Sequence, residues 1–94
     1  KVSMGTIAAR DCIRVLELTE QVAAAGLLAS TQALELRKQQ SDFEQRNITA
    51  PLQALYDHVR QYCALVDEDR PLEGELRQTL DQIRAQTWDL YPHD

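Results

Sequence analysis

The 94 residues predict an all-α fold, one long helix followed by two shorter ones, and three observations carry that prediction. Apolar residues make up 44% of the chain but aromatics only 5%, with Ala and Leu prominent among the rest, a composition that suits close-packed helices better than a sheet sandwich. The first Pro is Pro51, so nothing interrupts the helix-period pattern that precedes it. Beyond it, Leu52, Leu55, Val59, Tyr62 and Val66 recur at steps of three and four, as one face of a helix requires.

Residues 1–38 read as a long core helix. Ile7, Cys12, Ile13, Leu16, Val22, Leu27, Leu34 and Leu36 supply bulk, and Ala fills most of the gaps. Arg10, Arg14, Glu17 and Glu20 or Gln21 trace one polar stripe. From Val22 to Ala29 the pattern is apolar all round, which belongs inside something. At 1.5 Å per residue, about 35 helical residues form a rod of roughly 50 Å. A compact domain of this size has a radius of gyration of about 12 Å, so the remaining residues cannot wrap the rod. Partner helices from outside the chain are expected. The alternative is a kink at Gly5 or Gly26, although one Gly costs only about 1 kcal/mol in a helix.

Residues 39–48 form a polar connector, and residues 49–94 a C-terminal helical segment. Thr49 is placed to cap the second helix, with Pro51 in its first turn, where a missing N–H does no harm. Asp67, Glu68 and Asp69, just before Pro71, are expected to cap a third helix and complement its dipole, and Leu72, Leu76, Leu80 and Ile83 give that helix one apolar edge. Trp88, Leu90 and Tyr91 are expected to fold back over neighbouring apolar surface.

The formal charge is −5 and the ten Lys and Arg are scattered, so no basic face is available for nucleic acid. Cys12 and Cys63 sit in no metal-binding spacing and read as reduced, buried small hydrophobes of a cytoplasmic protein. The longest uncharged stretch, Gln21 to Leu34, contains Gln, Ser and Thr and falls short of a membrane span. Asn47-Ile48-Thr49 matches a glycosylation sequon by chance. His58 has no Cys or carboxylate partner one helical turn away, so it reads as a surface or satisfied histidine rather than a catalyst; Tyr56 and Tyr62 read as packing and hydrogen-bonding residues. The chain has no Gly-rich phosphate loop, HExxH, serine elbow or paired-carboxylate arrangement, so no self-contained active site and no metal site is expected.

The opening stretch adds to this. Val2-Ser3-Met4-Gly5, then Thr6-Ile7-Ala8-Ala9-Arg10 and Val15-Leu16-Glu17-Leu18-Thr19-Glu20-Gln21-Val22, resembles the C-terminal part of the aromatic amino-acid ammonia-lyases and 2,3-aminomutases. Leu28-Ala29-Ser30-Thr31-Gln32-Ala33-Leu34-Glu35-Leu36-Arg37 fits the family pattern near the end of its long helix, and the segments Leu55–Arg60 and Val66–Leu72 resemble its closing helices. Because the Gln or Glu and the Asp that precede this motif would lie just before Lys1, the chain is expected to be the C-terminal fifth or so of a longer polypeptide.

The resemblance implies a homotetrameric helical-bundle enzyme that eliminates ammonia from an aromatic L-amino acid, or re-adds it at the β-carbon. Its electrophile, 4-methylidene-imidazol-5-one (MIO), would form from an Ala-Ser-Gly that this chain does not contain. The family's catalytic Tyr and carboxylate-binding Arg would also lie upstream, leaving no catalytic residue here. Lys1, Val2, Ser3, Met4 and Gly5 are expected to support the substrate pocket, with Ser3 as a possible helix cap. Lys1 stands where histidine ammonia-lyases tend to carry His, which tilts the reading towards phenylalanine or tyrosine. The rival reading is a non-catalytic helical adaptor that oligomerises through its Val22-to-Leu36 face.

Overall fold

A computed structural model describes residues 2–40, 42 and 48–88, with side chains from Met4 onward. It contains three helices, α1 (Val2–Lys38), α2 (Ala50–Tyr62) and α3 (Glu73–Arg84), and no strand among the described residues. Most of the 39–48 connector, together with Leu90 and Tyr91, lies outside them.

α1 runs as one helix through Gly5 and Gly26, neither of which takes a positive φ, so neither glycine breaks it. Its 37 residues make a rod of about 55 Å. The molecule measures 62 × 42 × 21 Å with a radius of gyration of 17.1 Å, well beyond the value of a compact chain of this length. Arg37 and Lys38 end α1 where cations complement the helix dipole.

The other two helices cover only the C-terminal half of this rod. α3 lies antiparallel to α1: Leu72 and Leu76 line one groove with Ala29 and Gln32, Leu80 lines another with Ala24, and Arg84 Nε reaches Glu20 Oε2 at 3.1 Å. α2 packs beside it through Leu55, Val59 and Cys63, which form the core with Leu27, Leu28, Tyr62 and Trp88 around them. Two polar clips fix the corner. Gln32 accepts from Val66 N–H at 3.1 Å and donates to Val66 C=O at 2.9 Å, so one side chain satisfies both backbone groups of a loop residue. The buried Thr79 hydroxyl donates to Glu75 C=O at 2.8 Å and meets the Tyr62 hydroxyl at the same distance.

Several expectations change at the helix ends. Thr49 occupies the N-cap of α2 with extended backbone, but its side chain makes no capping bond; Pro51 does fall in the first turn. Asp67, Glu68 and Asp69 do not cap α3, because that helix starts only after Leu72, its N-cap residue. Glu73 and Glu75 place the negative charge in the first turn instead. Arg70 turns the loop by donating to Ala64 C=O at 3.0 Å and pairing with Glu75 at 2.9 Å. Ser3 lies inside the helical run from Val2 and so does not hold the extended position of an N-cap. Cys63 is buried as expected, whereas Cys12 is exposed, since neither α2 nor α3 reaches that part of α1.

α3 ends in a Schellman motif. Gln86 N–H bonds Ile83 C=O at 3.0 Å and Thr87 N–H bonds Gln82 C=O at 3.2 Å. The residue that turns the chain, Gln86, has φ 53°, a conformation that costs a residue with a Cβ about 1 kcal/mol relative to Gly. Gln86→Gly should therefore stabilise this end by up to about 1 kcal/mol, read as slower hydrogen exchange at the substituted position and at Thr87 after correction for intrinsic rates.

Candidate functional site

The residues expected to support a pocket sit at the free end of the α1 rod. Lys1 lies outside the described residues, and Val2 and Ser3 contribute helical backbone. Met4 is 71% exposed, and a Cβ placed on Gly5 would meet nothing within 4 Å. The first-turn N–H groups of such an end favour an anionic group. No pocket wall faces them from α2 or α3, both of which pack on the other half of α1. Among the described residues no cluster of His, Cys, Asp or Glu could hold a metal ion, and no helix is long and apolar enough to cross a membrane.

The structure brings together something that the apolar pattern had concealed. At 100° per residue, Met4, Ala8, Asp11, Val15, Leu18, Val22, Gly26, Ala29, Ala33 and Leu36 fall within one arc of about 80°. Every one of them is exposed, and Asp11 is the one charge in the set. Most α1 residues that meet α2 and α3, such as Ala24, Leu27, Leu28 and Thr31, lie on other faces; Ala29 sits at the border, where the seam adjoins the groove under α3. The result is an apolar seam along the whole rod, narrow and partly built of Ala and Gly, which lets another helix approach closely. Its 3.6-residue spacing is present in the sequence. Ile13 and Leu16 on other faces blur it, because they make the helix look apolar in every direction.

The polar groups near the packed corner serve structure. Arg60 donates to Cys63 C=O at 2.8 Å, with a longer contact to Thr31 C=O at 3.4 Å, and its guanidinium lies over the Tyr56 ring, 5.4 Å from the centroid. Lys38 Nζ approaches the same ring at 4.3 Å. Burial pushes the Tyr62 phenol above its ordinary range, partly offset by its hydrogen bond to Thr79, with a smaller push from Cys63. At the surface, the Arg37 guanidinium bonds Asp42 at 2.6 Å and holds its carboxyl below the usual carboxylate range. Arg60 shares a groove with the buried thiol of Cys63, but the other groups lining it are apolar side chains and Gln32, with no acid or base beside the thiol, and the chain contains no Ala-Ser-Gly from which MIO could form.

The sequence pattern of the aromatic amino acid lyases matches residues 1–61, which takes in all of α1 and most of α2. The chain belongs to the aromatic amino acid lyase family. Curated relatives agree with that placement. A histidine ammonia-lyase of Caenorhabditis elegans is 37% identical over 94 residues, covering 98% of this chain and 13% of that protein. One from Natranaerobius thermophilus is 37% identical, over 87% of this chain and 15% of its own length. One from Rattus norvegicus is 39% identical, over 86% and 12%. The chain thus spans about an eighth of the length of these relatives. No solved structure matches it.

Proposed function

We propose that the chain is the closing helical part of a cytoplasmic ammonia-lyase acting on an aromatic L-amino acid, and that α1 lies in the helical core of a homotetramer. The observation that carries this reading is the exposed apolar seam of α1, in a chain that belongs to the lyase family. Histidine is the favoured substrate, because the relatives named above are histidine ammonia-lyases. The tilt towards phenylalanine or tyrosine rested on Lys1 alone and finds no support among them. In this reading MIO is supplied by the preceding part of the polypeptide and provides the electrophile. Lys1, Val2, Ser3, Met4 and Gly5 support the pocket from the start of α1, where helix N–H groups favour the substrate's negative charge.

The test uses the whole polypeptide and follows arylacrylate formation by ultraviolet absorption with L-histidine, L-phenylalanine and L-tyrosine in turn. Release of ammonia with the histidine product is the expected result. Turnover of phenylalanine or tyrosine alone would overturn the histidine preference, and accumulation of a β-amino acid would make the enzyme an aminomutase. An intact, folded protein that turns over none of the three would overturn the lyase reading and favour the helical adaptor.

A further inference from the structure

We propose that His58 is a pH-sensitive latch on the turn that ends α3, holding Trp88 against α2 when neutral and releasing it when protonated. Trp88 Nε1 donates to His58 Nδ1 at 2.7 Å, joining two residues 30 apart in sequence. An indole N–H can only donate, so Nδ1 must present its lone pair and the imidazole proton must sit on Nε2. The imidazolium carries a proton on both nitrogens. Protonation therefore sets two N–H donors against each other at a contact that is partly buried. The charge also approaches the N–H edge of the indole, which is the positive part of its quadrupole, so attraction to the ring face does not restore the contact.

Among the described residues, neighbouring titratable and charged groups have partners of their own. On α2, Tyr62 meets the imidazole edge to face at 6.1 Å, and its phenol is engaged by Thr79 of α3. Asp57 is exposed and accepts from Gln53 at 2.9 Å. Arg84 of α3 pairs with Glu20 of α1 at 3.1 Å. Trp88, which packs on His58 with ring centroids 5.5 Å apart, does not titrate.

The turn itself is poised to open. Gln86 is held at φ 53°, and Trp88, two residues on, anchors the chain that leaves this conformation. Losing the anchor allows Gln86 to relax out of the left-handed region, and the Gln86 and Thr87 amide bonds to Ile83 and Gln82 go with it.

Hydrogen exchange of the whole polypeptide, resolved on peptides spanning 82–88 and corrected for the pH dependence of the chemical rate, reads the latch directly. Protection at Gln86 and Thr87 should fall roughly fivefold between pH 8 and pH 5, the loss expected for one ordinary hydrogen bond. Peptides from the middle of α1 serve as the folding control and should not change. His58→Asn keeps an acceptor near the Nδ1 position without titrating, and should remove the pH dependence. Trp88→Phe keeps an aromatic ring but not the donor, and should give low protection at both pH values. Unchanged protection between pH 8 and pH 5 in the unsubstituted protein would overturn the proposal. So would a His58→Asn protein that retains the full dependence.

Discussion

In the proposed tetramer, the double substitution Leu18→Glu and Val22→Glu should break the assembly into smaller species and abolish the proposed lyase activity. In this chain both side chains face outward, Leu18 at 42% and Val22 at 71% exposure, so the substitutions should change the fold of the segment by no more than about 0.5 kcal/mol. In an assembly that covers the α1 seam, each glutamate becomes an unpaired charge against apolar surface, at a cost of several kcal/mol per group. Symmetry repeats that cost at every copy. Light scattering on the eluted protein gives the mass, and the arylacrylate assay gives the activity. A fully active protein of unchanged mass would show that the seam is not an interface. Arg14→Gln, on the polar stripe and in a 3.3 Å pair with Glu17, is the matched control and should leave the mass unchanged.

The second large effect is local. Leu55 is 8% exposed and lies in the cluster that joins α2 to Leu27 and Leu28 of α1. Leu55→Ala should cost about 3 kcal/mol, the sum of lost burial and the cavity left behind. Because so little core supports this corner, α2 should open well before α1, which hydrogen exchange over residues 50–62 would report as faster exchange there than in the middle of α1. Equal protection of α2 in the variant and the unsubstituted protein would mean that a surface outside this segment holds the helix. Ala24→Leu asks a different question than its place in an all-apolar stretch suggests. Ala24 is 1% exposed beneath α3, so overpacking it disturbs this chain itself and cannot report on assembly.

The helical class and the rod were legible in the residues, because an uninterrupted periodic run without Pro leaves few alternatives to a helix. The ends were less so. The acid run at 67–69 looked like a cap, but Arg70 closes the loop through Ala64 and Glu75 and delays α3 until Glu73. That contact depends on the folded path of the chain, which spacing along the sequence does not encode. His58 read as either a surface or a satisfied histidine; it is satisfied, by Trp88, which lies 30 residues away and could not be named in advance. Cys12 was misjudged for a related reason: burial of α1 depends on partners, and the sequence does not show which stretch of the rod its own chain covers. Family membership was readable from the motifs at both ends of α1, whereas the choice of substrate from Lys1 was not.

The covered and bare halves of α1 have different thermodynamic characters. Beyond Glu20 the helix is supported by α2 and α3, and that support is intramolecular, present at any dilution. Before Glu20, Met4, Ile7, Ile13, Val15 and Leu16 stay more than half exposed. Most helical stability in proteins comes from packing of an apolar face, and this half receives none from α2 or α3. In the proposed tetramer its order is therefore linked to mass action, and the unfolding midpoint of this half rises with protein concentration while that of the corner stays fixed. Dilution, before heat, is the perturbation to which the first half of α1 answers.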